Sequence, residues 1–215
     1  MAPRHTSPIH VLLVPGADGR PFPEDRAEAA SRGVVVHEMT LPAITGHPID
    51  ARLRYFDAVG ADIERRVAAI RSAAPGAQVH AIGRNHGGSL LAHAVARGAR
   101  VDAMVLPGVI PELSTFRLRS EHPSARAFRE ALGTPEAVAR IAELRPHDLT
   151  TSLLTVVHCR ILLQVGADDP WLDAASHAVF RVLADSHQVS WHDDDHAMVA
   201  PATLAERWAF LAGSV

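Results

Sequence analysis

A short glycine-rich stretch, residues 83–88 (GRNHGG), constrains the fold of this chain more than any other segment. The apolar residues 78–82 (QVHAI) precede it, and the helix-forming residues 89–96 (SLLAHAVA) follow it. This pattern predicts a strand, a sharp turn and a helix in direct succession. Glycines are needed at such a turn because it leaves no room for a Cβ, and the central residue is held in a strained backbone conformation.

The residue at the centre of this turn is Asn85. A strand, a glycine-flanked turn and a helix are the setting of a nucleophile elbow, G-x-S-x-G, in which serine occupies the centre. An amide is not a usable nucleophile at neutral pH. The chain therefore has the surroundings of an elbow with the reacting atom replaced, and the role of Asn85 is the main functional question.

Length and composition predict one globular domain, residues 1–215. The chain is 47% hydrophobic and 21% charged, which is enough apolar material for a sizeable core. Its net charge of −3 gives no reason to expect nucleic acid or an anionic membrane as a partner. No apolar run approaches the roughly 20 residues of a membrane span, and the start lacks the apolar core of a secretory signal. We therefore expect a cytoplasmic protein.

The cysteine and histidine residues indicate whether the chain could bind a metal. The single cysteine, Cys159, excludes an intrachain disulfide and a cysteine-based metal cluster. The fourteen histidines are scattered, and no second pair with helical ligand spacing supports a metal site at His192 and His196. We expect neither a metal nor an organic cofactor.

Strands and helices alternate along most of the chain. Apolar runs predict strands at residues 9–14, 34–37, 78–82, 101–106, 160–165 and 188–191. Helices are predicted at residues 23–32, 52–73, 89–96, 172–184 and 201–212. Because most of the strands are continuous apolar runs, we expect an α/β domain with a mainly parallel sheet and helices on both faces. Residues 111–158 interrupt the alternation with helical pieces at 124–132 and 135–144, and they predict a helical insertion over the sheet.

Polar residues follow three of the predicted strands, where an open parallel sheet places its site. Asn85 follows the third strand, Asp168 and Asp169 follow the fifth, and His196 follows the last. The order of nucleophile position, acid and histidine is that of α/β-hydrolases. In such a set the acid orients the imidazole, and the imidazole serves as general base.

Four segments of the chain resemble the α/β-hydrolase superfamily, and the resemblance covers nearly the whole sequence from Ile9 onward. These segments are residues 14–17 (VPGA), 83–88, 166–170 (GADDP) and 193–198 (DDDHAM). The resemblance implies an α/β-hydrolase fold. It also implies that the insertion at about 111–158 takes the place of the cap that lines the substrate pocket.

The resemblance further implies a role for each matching residue. The acid usually stands three residues after the glycine, which selects Asp169, and a helix follows His196 at the distance usual for the catalytic histidine. The oxyanion hole would use the backbone N–H groups of Ala17 and His86. Such donors stabilise negative charge that develops on a carbonyl oxygen.

Four explanations of Asn85 stand side by side. In the first, the chain is an enzyme without a covalent intermediate, in which His196 moves a proton or activates water for lyase-, cyclase-, isomerase-like or hydrolytic chemistry. In the second, the chain is a Ser- or Asp-to-Asn variant of an ester, thioester or epoxide hydrolase. In the third, it is a catalytically silent binding protein, and in the fourth, Asn85 deamidates to Asp. Retention of Asp169 and His196 favours catalysis, because a protein that only binds has no need of an oriented imidazole.

The expected partner of the chain is a carbonyl-containing small molecule. Apolar faces on the helices of the insertion would be the place for a dimer contact.

Overall fold

A computed structural model of the chain describes residues 8–16, 19, 21–42 and 49–213. In chain order, the elements in these ranges are β1 (Ile9–Val14), α1 (Pro23–Ser31), β2 (Val35–Glu38), α2 (Ile49–Ala73), β3 (Gln78–Gly83), α3 (His86–Arg97), β4 (Ala103–Pro107), α4 (Leu113–Arg119), α5 (Pro123–Leu132), α6 (Pro135–Ala139), a 3-10 helix (Arg140–His147), α7 (Leu149–Leu153), β5 (Arg160–Gly166), α8 (Ala174–Leu183), β6 (Gln188–His192) and α9 (Pro201–Leu211). None of the described helices is long and apolar enough to cross a membrane.

The strands form one sheet in the order β2-β1-β3-β4-β5-β6, and each neighbouring pair is parallel. The predicted parallel sheet is confirmed. The chain first proceeds from β1 to β2 at one edge and then returns to β3 on the other side of β1. This reversal makes the carboxyl ends of β1 and β3 the place where an open α/β sheet opens a crevice for a ligand.

Helices cover both faces of the sheet, as predicted. In β1, Leu12 and Val14 face a core cluster that contains apolar residues of α2, α3 and α8. Val11 and Leu13 face a second cluster, formed with α1 and α9. The alternation follows from the two-residue side-chain period of a strand, so each continuous apolar strand supplies both cores.

The chain between β4 and β5 is helical and contains no strand. Residues of α5 and the 3-10 helix pack on the start of α2 around Ile49, Phe128 and Leu144. The short helices α4 and α7 were not predicted, because their sequences LSTFRLR and LTTSL are too short and too rich in Ser and Thr to carry a helical signal. That residues 111–158 act as a cap within one domain of residues 1–215 stays a prediction.

A buried ion pair connects α1 to α9. Asp25 and Arg207 are both fully inaccessible, and Nη1 of Arg207 donates to the two carboxylate oxygens at 2.9 and 2.8 Å. Arg207 also donates from Nε to Oε1 of Gln164 in β5 at 2.9 Å, and from Nη2 to the carbonyl oxygen of Met198 at 2.7 Å. Because Met198 stands two residues after His196, the ion pair fixes the loop that carries His196.

The buried His80 in β3 should make the free energy of unfolding depend on pH. Its side chain is 1% exposed, and burial lowers its pKa to about 4. Because the unfolded state binds the proton more readily between pH 4 and 6.5, acidification destabilises the folded state. We expect His80 to contribute about 1–2 kcal/mol to the loss of unfolding free energy between pH 7 and pH 5.

Urea unfolding of the unchanged chain and of His80→Leu at both pH values measures this contribution. The pH-dependent loss should be smaller in His80→Leu by about that amount. The exposed His158 supplies a control for the removal of a histidine from the surface, in the variant His158→Gln. Equal losses in the unchanged chain and in His80→Leu would contradict the expected protonation of His80 on unfolding.

Candidate active site

The chain turns sharply from β3 into α3 at Asn85. Its backbone has φ 52° and ψ −125°, a conformation that residues other than glycine rarely adopt. The Asn85 backbone N–H donates to the carbonyl oxygen of Pro107 at 3.0 Å, which ties the turn to β4. At Gly87, a Cβ would collide with the backbone carbonyl oxygens of Val14 and Pro15. The strained, glycine-dependent turn is therefore present, with Asn85 at its centre.

The side chain of Asn85 does not serve the turn itself. It makes no capping hydrogen bond to α3, although it stands at the N-cap position. It is only partly buried, and it lines a cavity. A purely structural role as a helix cap therefore does not account for the amide.

His196 and Asp169 lie on the loops after β6 and β5 and form a hydrogen-bonded pair. Nδ1 of His196 is 2.7 Å from Oδ2 of Asp169. The Asp169 side chain is inaccessible, and its Oδ1 accepts the backbone N–H of Trp171 at 2.9 Å. A carboxylate held at both oxygens orients the imidazole with its proton on Nδ1, which leaves Nε2 as the acceptor. Nε2 of His196 is buried and has no hydrogen-bond partner within the described ranges.

Trp171 covers the imidazole of His196. The two rings are stacked, with centroids 4.9 Å apart and an angle of 17° between their planes. His122, at the start of α5, lies on the indole at 4.1 Å. The position of Trp171 near a strand end indicates only a packing role in the sequence. Its contact with His196 arises from the loop after β5 and has no local sequence signal.

A cavity of about 330 Å³ lies between the elbow and the loop that carries His196. Its lining includes Asn85, His196 and Trp171, so the two predicted site residues face one space. This volume suits a small-molecule ligand.

His192, the alternative to His196, lies in a different environment. Its Nε2 is 2.8 Å from Oε2 of Glu206 in α9 and 3.1 Å from Oγ of Ser190. His192 is therefore not the partner of Asp169. Among the residues that the structure describes, no three His, Cys, Asp or Glu side chains are grouped as ligands for a metal ion. The absence of a metal and of a cofactor stays a prediction.

The predicted oxyanion hole has one donor in the described part of the chain. His86 is the first residue of α3, where backbone N–H groups have no partner within the helix. The helix dipole also favours negative charge at this end. The second predicted donor, Ala17, lies outside the described residues, and the role of both groups stays a prediction.

The ring of His86 points into a partly aromatic environment. It stacks on Tyr55 at 6.2 Å and meets the edge of Phe56 at 5.2 Å. Burial and, to a lesser extent, the positive charges of Arg52 and Arg117 lower the pKa of His86 to about 3. The imidazole beside the elbow is therefore neutral at neutral pH.

Comparison with known proteins identifies a fold but no close relative. No protein-family model matches the sequence, and no curated protein matches it. Solved structures do match. An acetyl xylan esterase from Paenibacillus sp. R4 has a TM-score of 0.73 at 16% identity, over 98% of this chain and 75% of that chain.

Two longer proteins match equally well over part of their length. A puromycin hydrolase has a TM-score of 0.72 at 18% identity, over 99% of this chain and 35% of that chain. An acylaminoacyl peptidase from Pyrococcus horikoshii has a TM-score of 0.69 at 17% identity, over 98% and 37%. At these identities, the likeness concerns the fold alone.

Proposed function

Because the chain has the α/β-hydrolase fold, we propose that it is a cofactor-independent enzyme acting on a carbonyl-containing small molecule by non-covalent acid–base catalysis. The observation that carries the proposal is the His196–Asp169 pair, whose Nε2 atom is unpaired within the described ranges. Asn85 lines the same cavity as His196. The proposed substrate is a small metabolite of the cytoplasm, such as a biosynthetic intermediate.

His196 is the proposed general base and acid. Its Nε2 would accept a proton from the carbon next to the substrate carbonyl, or from an attacking water, and return it later in the reaction. Asp169 would stabilise the imidazolium that forms. The indole of Trp171 is stacked on the same imidazole.

Asn85 and the start of α3 would hold the substrate. The Asn85 amide both donates and accepts hydrogen bonds, so it can orient a carbonyl or hydroxyl group without forming a covalent bond. The backbone N–H groups of His86 and Ala17 would stabilise an enolate or a tetrahedral oxyanion. The reaction would then be lyase-, cyclase- or isomerase-like, or a hydrolysis by activated water.

A second candidate is a hydrolase in which Asn replaces a nucleophilic Ser or Asp. The observation that favours it is the intact elbow, since a strained residue costs of order 1–3 kcal/mol and is usually retained for a function. Several proteins of similar fold are named as esterases or hydrolases. A protein that only binds a ligand would leave the oriented histidine unexplained.

The test of the proposed chemistry is His196→Ala against a panel of ketones, oxo acids, thioesters and lactones in D2O, followed by NMR. We expect the unchanged chain to convert or deuterate at least one compound. His196→Ala should lower that rate by about 100-fold or more, the usual effect of a general acid or base, and change the dissociation constant little.

The exposed His158 supplies the matched control, since His158→Ala should retain full activity. An unchanged rate in His196→Ala would rule out the proposed role of the imidazole. A compound that binds to the unchanged chain while none of the panel reacts would favour the binding protein instead.

A further inference from the structure

Two arginines, Arg52 and Arg117, both lie against the ring of Phe128 in the insertion. The guanidinium carbons of Arg52 in α2 and Arg117 in α4 are 4.4 and 5.0 Å from the centroid of the Phe128 ring. Both side chains are partly buried. Within the described ranges, no carboxylate forms a salt bridge with either, and none contributes to the pKa of either. We call Arg52 and Arg117 the arginine pair.

Several other arginines behave differently. Much more exposed arginines have carboxylate partners, as in the pairs Arg66–Asp62, Arg97–Asp57 and Arg140–Asp50. Ion pairs at such exposed positions contribute little to stability. The arginine pair has the reverse arrangement, because its charges are more desolvated and yet have no carboxylate counterion among the described residues.

This arrangement is unfavourable in the absence of an anion. Burial and, to a lesser extent, the charge of Arg52 lower the pKa of Arg117 to about 10. Because a guanidinium group is always charged at neutral pH, both groups stay protonated. Nε of Arg52 is buried with no hydrogen-bond partner in the described part of the chain. Two like charges and a buried donor without an acceptor are features that a bound oxyanion would stabilise.

The arginine pair also lies beside the candidate active site. Both charges act on the imidazole of His86, which directly follows Asn85.

On the other side, Nη1 of Arg117 donates to the carbonyl oxygen of Ser124 at 2.9 Å. Ser124 Oγ is 3.0 Å from Nδ1 of His122. The ring of His122 in turn lies on Trp171, which stacks on His196. The pair is thus connected to the elbow and to the His196 loop.

We propose that Arg52 and Arg117 form a binding subsite for an anionic group of the substrate, a carboxylate or a phosphate. The inference rests on the proposed function in that it places this group on the molecule whose carbonyl reacts at His196. Guanidinium groups suit this purpose because their flat donor edge binds two oxygens of a carboxylate or phosphate at once. The neutral His86 imidazole has an unpaired Nε2 within the described residues and adds a polar contact that does not cancel the charge.

The inference narrows the class of substrate. A neutral ester or ketone would leave the arginine pair without a counterion. A carbonyl compound that bears an acid group, such as an oxo acid or a phosphorylated carbonyl compound, would satisfy both the arginine pair and His196.

Binding of simple anions tests the subsite without any turnover. Succinate and inorganic phosphate are titrated separately by calorimetry at low ionic strength into the unchanged chain, Arg52→Met and Arg117→Met. We expect one saturable site, with binding weakened about tenfold or more in each variant, as for loss of a charge-assisted hydrogen bond. The anion that binds more tightly identifies the acid group.

Arg54 and Arg119 provide matched controls, because they are exposed arginines on the same two helices. Arg54→Met and Arg119→Met should bind the anions as the unchanged chain does. Arg117→Lys retains the charge but not the flat edge, and should keep part of the affinity. Circular dichroism establishes that each variant is folded, and Arg52→Lys replaces Arg52→Met if the latter is not.

The experiments can contradict the anion subsite and the proposed catalysis independently of each other. Absence of saturable binding, or an equal loss in Arg119→Met and Arg117→Met, would overturn the subsite whatever the activity of the chain. His196→Ala should bind phosphate normally, so a loss of turnover in His196→Ala leaves the subsite standing. Normal anion binding in a chain that turns over none of the acidic carbonyl compounds would refute the catalytic proposal alone.

Discussion

Asn85→Ser is expected to take up one equivalent of a fluorophosphonate probe, whereas the unchanged chain takes up none. The serine oxygen would stand at the centre of the strained elbow, in the cavity that His196 also lines. His196, oriented by Asp169 at 2.7 Å, would accept the serine proton as the serine oxygen attacks phosphorus and fluoride leaves. Intact-mass spectrometry of both proteins after incubation measures the result.

The double variant Asn85→Ser/His196→Ala is the control for this experiment. Removal of the general base should slow labelling by roughly 1,000-fold or more, as in other enzymes with an activated serine. Asn85→Ala controls for reaction elsewhere on the surface and should remain unlabelled.

The outcome bears directly on the four explanations of Asn85. Labelling would mean that the base and the oxyanion hole are assembled, as both the proposed non-covalent enzyme and a substituted hydrolase require. A folded Asn85→Ser that stays unlabelled would mean that the site is built around the amide. Lyase, cyclase or isomerase chemistry, or binding alone, would then be favoured.

Asp25→Ala is expected to lower the free energy of unfolding by about 3–5 kcal/mol, the usual effect of leaving one member of a buried ion pair without its partner. Arg207 would remain fully buried without its carboxylate. The indole N–H of Trp208, which donates to Oδ1 of Asp25 at 3.2 Å, would also lose its acceptor. Urea unfolding at neutral pH measures the change.

The neighbouring Glu24 supplies the control for Asp25. Its carboxylate is 4.0 Å from Arg84 and its side chain is 39% exposed, so Glu24→Gln should change the stability by less than about 1 kcal/mol. Asp25→Asn keeps one acceptor oxygen and should be intermediate. A loss below about 1 kcal/mol in Asp25→Ala would show that the ion pair contributes less to the free energy of unfolding than expected.

The sheet and its order of elements could be predicted because parallel strands that are buried on both faces leave continuous apolar runs. The elbow could be predicted because its glycines respond to a local steric demand. At Gly83, for example, a Cβ would lie 2.7 Å from Cα of Gly88 in the same turn. The pairing of Asp169 with His196 could be predicted only from the order of the motifs, which resembles that of α/β-hydrolases. The structure brings the two side chains together.

Contacts between distant parts of the chain could not be predicted. Asp25 appears in the sequence as an acidic residue in the first turn of a helix, where it would favour the helix dipole, yet its partner Arg207 is 182 residues away. Arg52 belongs to a helix whose charged positions suggest a solvated face. Only the fold of the insertion, which places Phe128 against Arg52, covers that face.

At the elbow, the backbone conformation of residue 85 does not depend on its side chain, so the side chain can be exchanged. The conformation of Asn85 is imposed by the surrounding glycines and by its N–H bond to Pro107, while its amide does not cap the helix that follows. Serine, cysteine or aspartate at this position would take the same place in the cavity, with aspartate tolerating the positive φ of 52° best. A family of such variants would present different reactive groups to one unchanged histidine. This chain is for that reason a suitable starting point for installing new covalent chemistry by single substitutions.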